Sequence, residues 1–378
     1  MIWQKIPGLE TTKSYLIELH KHNQLPHAIL LSGKEGSAVL PIALGFSQFL
    51  LCDTPKDLLP CGECKSCKQT QNLFYPGFQI ILPKFSTAKS DEAANQFLKL
   101  FFDLFKENIF IGFDDILKET KDRSKQALIS VQDIHRVIES TAFTAEENKY
   151  KIIIIWMPEL MPPASANKLL KTLEEPPPQT LFILVSYNPE KLLPTIISRL
   201  QQISVPNFTD EQVSAYLINH FSLQKEKADD IAFIAEGNIN KAIQLIENID
   251  NYYTLLNDLK AFIRNAIKFD FNEIEKWIKN YEDIGREGLK RFFEYSLGML
   301  HNALLFNYQV IEVSKVTDGE KSFIEKLLPY VRKDNISTLH DLFNDAYHQV
   351  SRNANMRTLL IDLFLRCNEI LPKKVTNE

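Results

Sequence analysis

"KYKIIIIWMPELMPPASANKLLKTLEEPPPQTLFILVS", residues 149–186, contains two apolar runs separated by a helical stretch. The first run, around Ile152–Ile155, is nearly continuous and β-branched, the pattern of a parallel strand buried on both faces. "TLFILVS" is a second such strand. The stretch between them has marked ends. Pro162 and Pro163 suit the first turn of a helix, and Pro176, Pro177 and Pro178 stop it. Strand, helix and strand in this order indicate an α/β domain with a parallel sheet.

Working outward, "HAILLSG" (27–33) is another buried strand, and "VLPIALGFSQFLLC" (39–52) is the helix after it, with Pro41 confined to the first turn. "SVQDIHRVIEST" (130–141) places Val131, Ile134, Val137 and Ile138 on one helical face. Residues 85–125 are charged and Phe-rich, and "FLKLFFDLFKENIF" (97–110) has helical spacing. After "SVPNF" (204–208) the β-rich runs cease. The pattern predicts an α/β domain over 1–206, a small helical domain over 207–250 and an all-α C-terminal domain over 251–378. The last ends in "NANMRTLLIDLFLRCNEIL", where Leu359, Leu360, Leu363 and Phe364 share a face.

The totals fit this division. The 378 residues suggest two or three domains, and 45% apolar with 24% charged residues is ordinary for a soluble globular chain. Only 12 glycines favour long helices over many tight turns. A net charge of −5 argues against strong nucleic-acid binding by the chain alone, while leaving room for a local basic patch. No secretory pattern opens the sequence, and no apolar run reaches the roughly 20 residues of a membrane span. A soluble cytoplasmic protein is expected.

Four of the five cysteines, Cys52, Cys61, Cys64 and Cys67, fall within 16 residues. The spacing Cys-x8-Cys-x2-Cys-x2-Cys lets the thiolates converge on one tetrahedral ion at about 2.3 Å. Gly62 supplies a tight turn. Zinc is the expected cofactor, and four protein ligands make it structural. An iron–sulfur cluster uses the same ligands, and unrelated buried thiols or redox chemistry are the other readings.

"LSGKEGSAVL" (31–40) poses the functional question. Gly33 and Gly36 follow a strand as in a phosphate-binding loop. Where such a loop needs glycine, lysine and a hydroxyl, the chain has Ala38, Val39 and Leu40.

Taken together, "LPHAILLSG", the four-cysteine excursion, "NKLLKTLEEPPPQTLFILVS", "LLPTIISRL" and "NANMRTLL" resemble the bacterial DNA polymerase III clamp loader subunits of the AAA+ class, and within them the delta-prime branch. The resemblance spans most of the chain except about 85–125. It implies that Gly33, Gly36, Val39 and Leu40 form a degenerate loop, since neither valine nor leucine reaches phosphate or magnesium. The Asp-Glu pair of an active motor falls at Trp156 and Met157, with Glu159 two residues late. An arginine that senses nucleotide in active relatives falls at Asn240, and a polar sensor at Ser186. No ATP bound in cis and no intrinsic ATPase are therefore expected.

Ser198 and Arg199 match the family's Ser-Arg, although Leu200 stands where cysteine is usual. The resemblance makes Arg199 an arginine finger acting in trans on ATP held by the next subunit. An ordinary surface arginine is the alternative. Lys168 and Lys171, three residues apart on one helix face, line the same intersubunit surface or are simply solvated. The implied partners are the ATPase subunits (gamma/tau), the delta subunit, and, through the complex, a sliding clamp and primed DNA. Two rivals are an active motor ATPase and a zinc-dependent nucleic-acid-binding module.

Overall fold

The computed structural model describes residues 2–56, 59–72, 75–85, 91–120, 127–141, 150–310 and 316–372. Lys149 and parts of the 85–125 segment lie outside the described residues. The chain divides into two compact units, residues 1–228 with 235–243, and 229–234 with 244–378.

The first unit is built on a five-stranded parallel sheet of order β2-β5-β6-β1-β7. The strands are β1 (Ala28–Ser32), β2 (Phe78–Ile81), β5 (Lys151–Trp156), β6 (Thr180–Ser186) and β7 (Gln201–Ser204). A short antiparallel pair, β3 (Lys84–Phe85) and β4 (Ala127–Leu128), stands apart. The expected α/β parallel sheet is thus present. The register sets Leu31 beside Val185 and Ile155 beside Leu184, so the carboxyl ends of β1, β5 and β6 lie together. β5 and β6 are buried almost throughout, which is why they read as continuous apolar runs.

Helices cover both faces. α1 (Glu10–Lys21) precedes β1, and α2 (Val39–Leu50) packs on β1, β5 and β6. α3 (Lys65–Gln71) closes the cysteine excursion, and α4 (Asp91–Glu107) and α5 (Phe113–Glu119) form the Phe-rich segment. The other face carries α6 (Val131–Thr141) and α7 (Pro163–Glu174), whose Ile134, Val137, Leu169 and Leu173 pack with Leu30, Ile153 and Leu184. Pro163 opens α7 and Glu174 ends it just before the triple proline. α8 (Pro194–Ile197) is a single turn before β7.

α9 (Asp210–Phe221), capped by Thr209 and Gln212, leads to α10 (Lys225–Ala235) and the 30-residue α11 (Ile239–Lys268), which is continuous through residue 250. The second unit is helical: the later part of α11, α12 (Phe271–Ile284), α13 (Arg286–Asn307), α14 (Asp318–Leu327), α15 (Ile336–Ser351) and α16 (Met356–Ile370). Phe262 is central to its core, with ring centroids 4.3 Å from Phe364 and 5.4 Å from Trp277. Leu359, Leu360, Leu363 and Phe364 are buried there.

Candidate functional site

The loop after β1 keeps the outline of a phosphate cradle but not its chemistry. Gly36 is left-handed (φ +79°), a conformation that glycine adopts without strain. Ser37 turns its hydroxyl back onto the Lys34 carbonyl at 2.6 Å. α2 starts at Val39, and Val39 and Leu40 are fully buried beneath the sheet's edge. Both side chains therefore belong to the core. Asn238, in the turn before α11, donates to the Glu35 carbonyl at 3.2 Å, and a Cβ on Gly36 would lie 1.9 Å from its side chain.

The carboxyl end of β5 is packed in the same way. Trp156, the last residue of β5, is fully buried, and its Nε1 donates to the Tyr187 hydroxyl at 3.2 Å. Met157 adopts a left-handed conformation (φ 57°), fixed by its N–H bond to the Val185 carbonyl. Glu159 lies past the strand end. Its carboxylate accepts from the Ser186 hydroxyl at 2.8 Å and from the N–H groups of Tyr187 and Asn188. It is thus engaged within the chain, together with the residue at the sensor position.

Residues 97–120 build over the remaining space, a role that the sequence had not assigned them. Phe101 and Phe113 pack on the Trp156 ring at 5.6 and 6.0 Å. Phe110 meets Phe208 and Tyr216 edge-on. Asn240 donates to Asp115 at 2.7 Å and accepts from Asn108 at 2.7 Å, so it is held by α5 and its approach. Burial, together with Asp114 and Asp115, raises the Glu35 carboxyl above its usual range. Asp115 is itself held by the Asn240 amide, the Gly112 N–H and Lys118. The signal for this segment was its phenylalanine content, but helical spacing alone does not say what a helix covers.

Arg199 stands apart from these groups. It follows α8 and is about one-third exposed. One terminal nitrogen donates to the Thr195 carbonyl at 2.6 Å, and the other pairs with Glu174 at the end of α7. Lys168 and Lys171 lie on the same α7, half-buried and exposed respectively.

The four cysteines do converge. The Sγ atoms of Cys52, Cys61, Cys64 and Cys67 all lie within 4.8 Å of one another, and Cys61 and Cys67 are 3.9 Å apart. A tetrahedral zinc–thiolate site needs S–S edges of about 3.8 Å, so the set fits. Backbone N–H groups aim at the sulfurs: Cys61 at Cys52, Cys64 at Cys61 and Cys67 at Cys64, at 3.2–3.3 Å. Gly62 makes the turn with φ +73°. Hydrogen bonds, first from the Cys64 N–H, lower the Cys61 thiol to about 6, whereas burial raises Cys52 and Cys67. Such donors stabilise thiolate, the form that binds metal.

The parallel sheet with a glycine loop after its first strand, followed by helical segments, is an α/β architecture of the AAA+ class. The sequence profile described as "DNA polymerase III, delta subunit" matches residues 8–209. The chain belongs to that family. It is similar to subunit tau/gamma of Haemophilus influenzae, at 27% identity over 60% of this chain and 28% of that protein. Similarity to subunit delta' of the same species is 29%, over 48% and 43%. Subunit gamma of Buchnera aphidicola (from Acyrthosiphon pisum) matches at 22% over 84% and 82%. The matched region is therefore less than half of the first two relatives and most of the third. Among the described residues, no helix is long and apolar enough to cross a membrane.

Proposed function

We propose that the chain is the delta-prime subunit of a DNA polymerase III clamp loader, a non-hydrolysing stator. It assembles with ATPase subunits (gamma/tau) and a delta subunit in the cytoplasm to load a sliding clamp onto primed DNA. The observation that carries this reading is the contrast between two sites. The groups for binding and hydrolysing ATP in cis are replaced by buried Val39, Leu40 and Trp156, while Arg199 stays accessible. Residues 207–250 act as a lid domain and 251–378 as the oligomerising collar. Zinc held by Cys52, Cys61, Cys64 and Cys67 fixes the excursion between α2 and α3.

On this reading Arg199 leaves Glu174 and reaches the γ-phosphate of ATP on the neighbour. An exposed pair of this kind contributes about 0–1 kcal/mol, so releasing it costs little. The guanidinium then meets charge developing on the transferred phosphoryl group, an effect on the order of 10³–10⁵ in rate in related systems.

The test is ATP turnover and clamp loading by complexes reconstituted with the wild-type chain or Arg199→Ala at matched assembly. Turnover should fall with Arg199→Ala while assembly persists. Equal turnover and equal loading would make Arg199 a surface arginine. The matches to gamma and tau proteins favour a second reading, an active motor. Saturable ATP binding by the chain alone would support it, and a flat calorimetric titration would dismiss it.

A further inference from the structure

The second unit, within the proposed collar, carries a groove. It has a volume of about 470 Å³ and runs between the end of α11 and α14. On α11, Lys260, Arg264 and Lys268 recur every fourth residue and so stand in one row along the groove. Lys326 faces them from α14. Beneath lie buried Ile263, Phe323 and Leu327. Among the described residues none of the four cations makes an ion pair, although acidic residues outnumber basic ones in the chain by 48 to 43. Lys260 instead rests over the Phe323 ring, 5.9 Å from its centroid.

We propose that this groove is a docking site for an amphipathic helix of a partner protein, one bearing an apolar stripe flanked by Asp or Glu. Three features favour this occupant. The row from Lys260 to Lys268 is about 12 Å long, two turns of a docked helix. The floor is aliphatic and aromatic, suited to side chains at i, i+3, i+4 and i+7. The rim is positive charge without an ion-pair partner among the described residues, which complements carboxylates and disfavours basic segments. Single-stranded nucleic acid fits less well, because it stacks on open aromatic faces, and of the two lining aromatics Phe323 is buried beneath Lys260 and only Tyr330 is part-exposed.

The test uses the full chain alone, without the proposed partner subunits. A displayed library of helix-prone peptides of roughly 15 residues, with fixed apolar stripes and randomised flanks, is selected on the wild-type chain. Gly319→Leu serves as the counter-target. Gly319 lines the groove, and a Cβ there meets only Leu256, at an ordinary 3.7 Å, so a side chain can be placed at this position. Selected peptides should carry Asp or Glu beside the stripe. They should bind about tenfold more weakly to the Arg264→Glu/Lys268→Glu variant, equivalent to about 1.4 kcal/mol, and should lose binding to Gly319→Leu. Binding should also weaken with salt, because the rim is exposed. The proposal is overturned if nothing is enriched over Gly319→Leu or if the enriched flanks are not acidic. It is equally overturned if the charge reversal has no effect, or if a single-stranded oligonucleotide displaces the peptides and binds more tightly.

Discussion

Restoring an acidic group at position 156 should unfold the first unit before it restores any nucleotide chemistry. Trp156 is fully buried between Phe101 and Phe113, and its Nε1 donates to the hydroxyl of half-buried Tyr187. Truncating a core tryptophan costs about 3–5 kcal/mol through lost transfer energy and the cavity left behind. Leaving Tyr187 without its donor adds roughly 1–3 kcal/mol. In Trp156→Asp a carboxylate must also enter an aromatic setting near Glu159, which already occupies the local donors at Tyr187 and Asn188. The sum exceeds about 5 kcal/mol, comparable with the whole stability of a typical domain. Denaturant unfolding, followed separately for the two units because two-state behaviour need not span both, should show the sheet unit destabilised and the helical unit unchanged. Trp156→Phe, which keeps most of the ring packing, should cost much less. Adding Val39→Lys and Leu40→Thr should not produce an ATP signal in calorimetry. A Trp156→Asp variant with a wild-type midpoint, or a triple variant that binds ATP, would refute the account of a site converted into core.

Three further expectations are separate from this one. Cys64→Ser should abolish the one equivalent of zinc found by elemental analysis and loosen residues 52–72 to proteolysis, while the sheet stays folded; iron or no metal in the wild type would defeat the assignment. Glu174→Gln should leave stability within about 0.5 kcal/mol of wild type and leave the turnover of the reconstituted complex no lower, since it only frees Arg199; a loss as deep as that of Arg199→Ala would show that the pair acts as a unit. Burial holds the His20 imidazole below its ordinary 6.5, beside Phe49 and Tyr150, with Nδ1 buried and without a partner among the described residues. The folded state therefore binds this proton more weakly than the unfolded state, and stability is complete above about pH 6.5 and declines as pH falls below it. His20→Phe should flatten that slope between pH 7.5 and 5.5, and an unchanged slope would assign it to other groups.

Much of the sheet was legible because its strands are buried on both faces. Ile152–Ile155 and Leu181–Val185 leave no polar alternation, and prolines bracket α7. β2 and β7 were not, since each is four residues long and only partly buried. Their assignment depends on pairing with β5 and β1, which is long-range information. The cysteine set was legible from spacing, because metal geometry limits which thiols share an ion. The hydrogen bonds from Asn108 to Asn240 and from Asn240 to Asp115 were not, for they join residues more than a hundred positions apart.

The two candidate sites also differ in how they are tied to stability, and this explains how one can be built over while the other stays accessible. A nucleotide site requires unpaired donors, a lysine and carboxylates at the carboxyl edge of a buried sheet, groups that cost free energy unless ligand meets them. On the proposed reading, Val39, Leu40 and Trp156 stand in place of those groups with apolar surface that packs, and Phe101, Phe110 and Phe113 extend the same core. Each step in that direction stabilises the fold, and each reversal leaves a cavity or a buried charge. Arg199 is outside this exchange. Its neighbours are a carbonyl on a one-turn helix and an exposed glutamate, so its loss removes little from the core and its presence burdens nothing. Substitutions around the loop should therefore act through folding, and substitutions at Arg199 through the complex. Thermal unfolding and turnover measured on one set of variants separate these outcomes: the first group should move both together, and Arg199→Ala should move turnover alone.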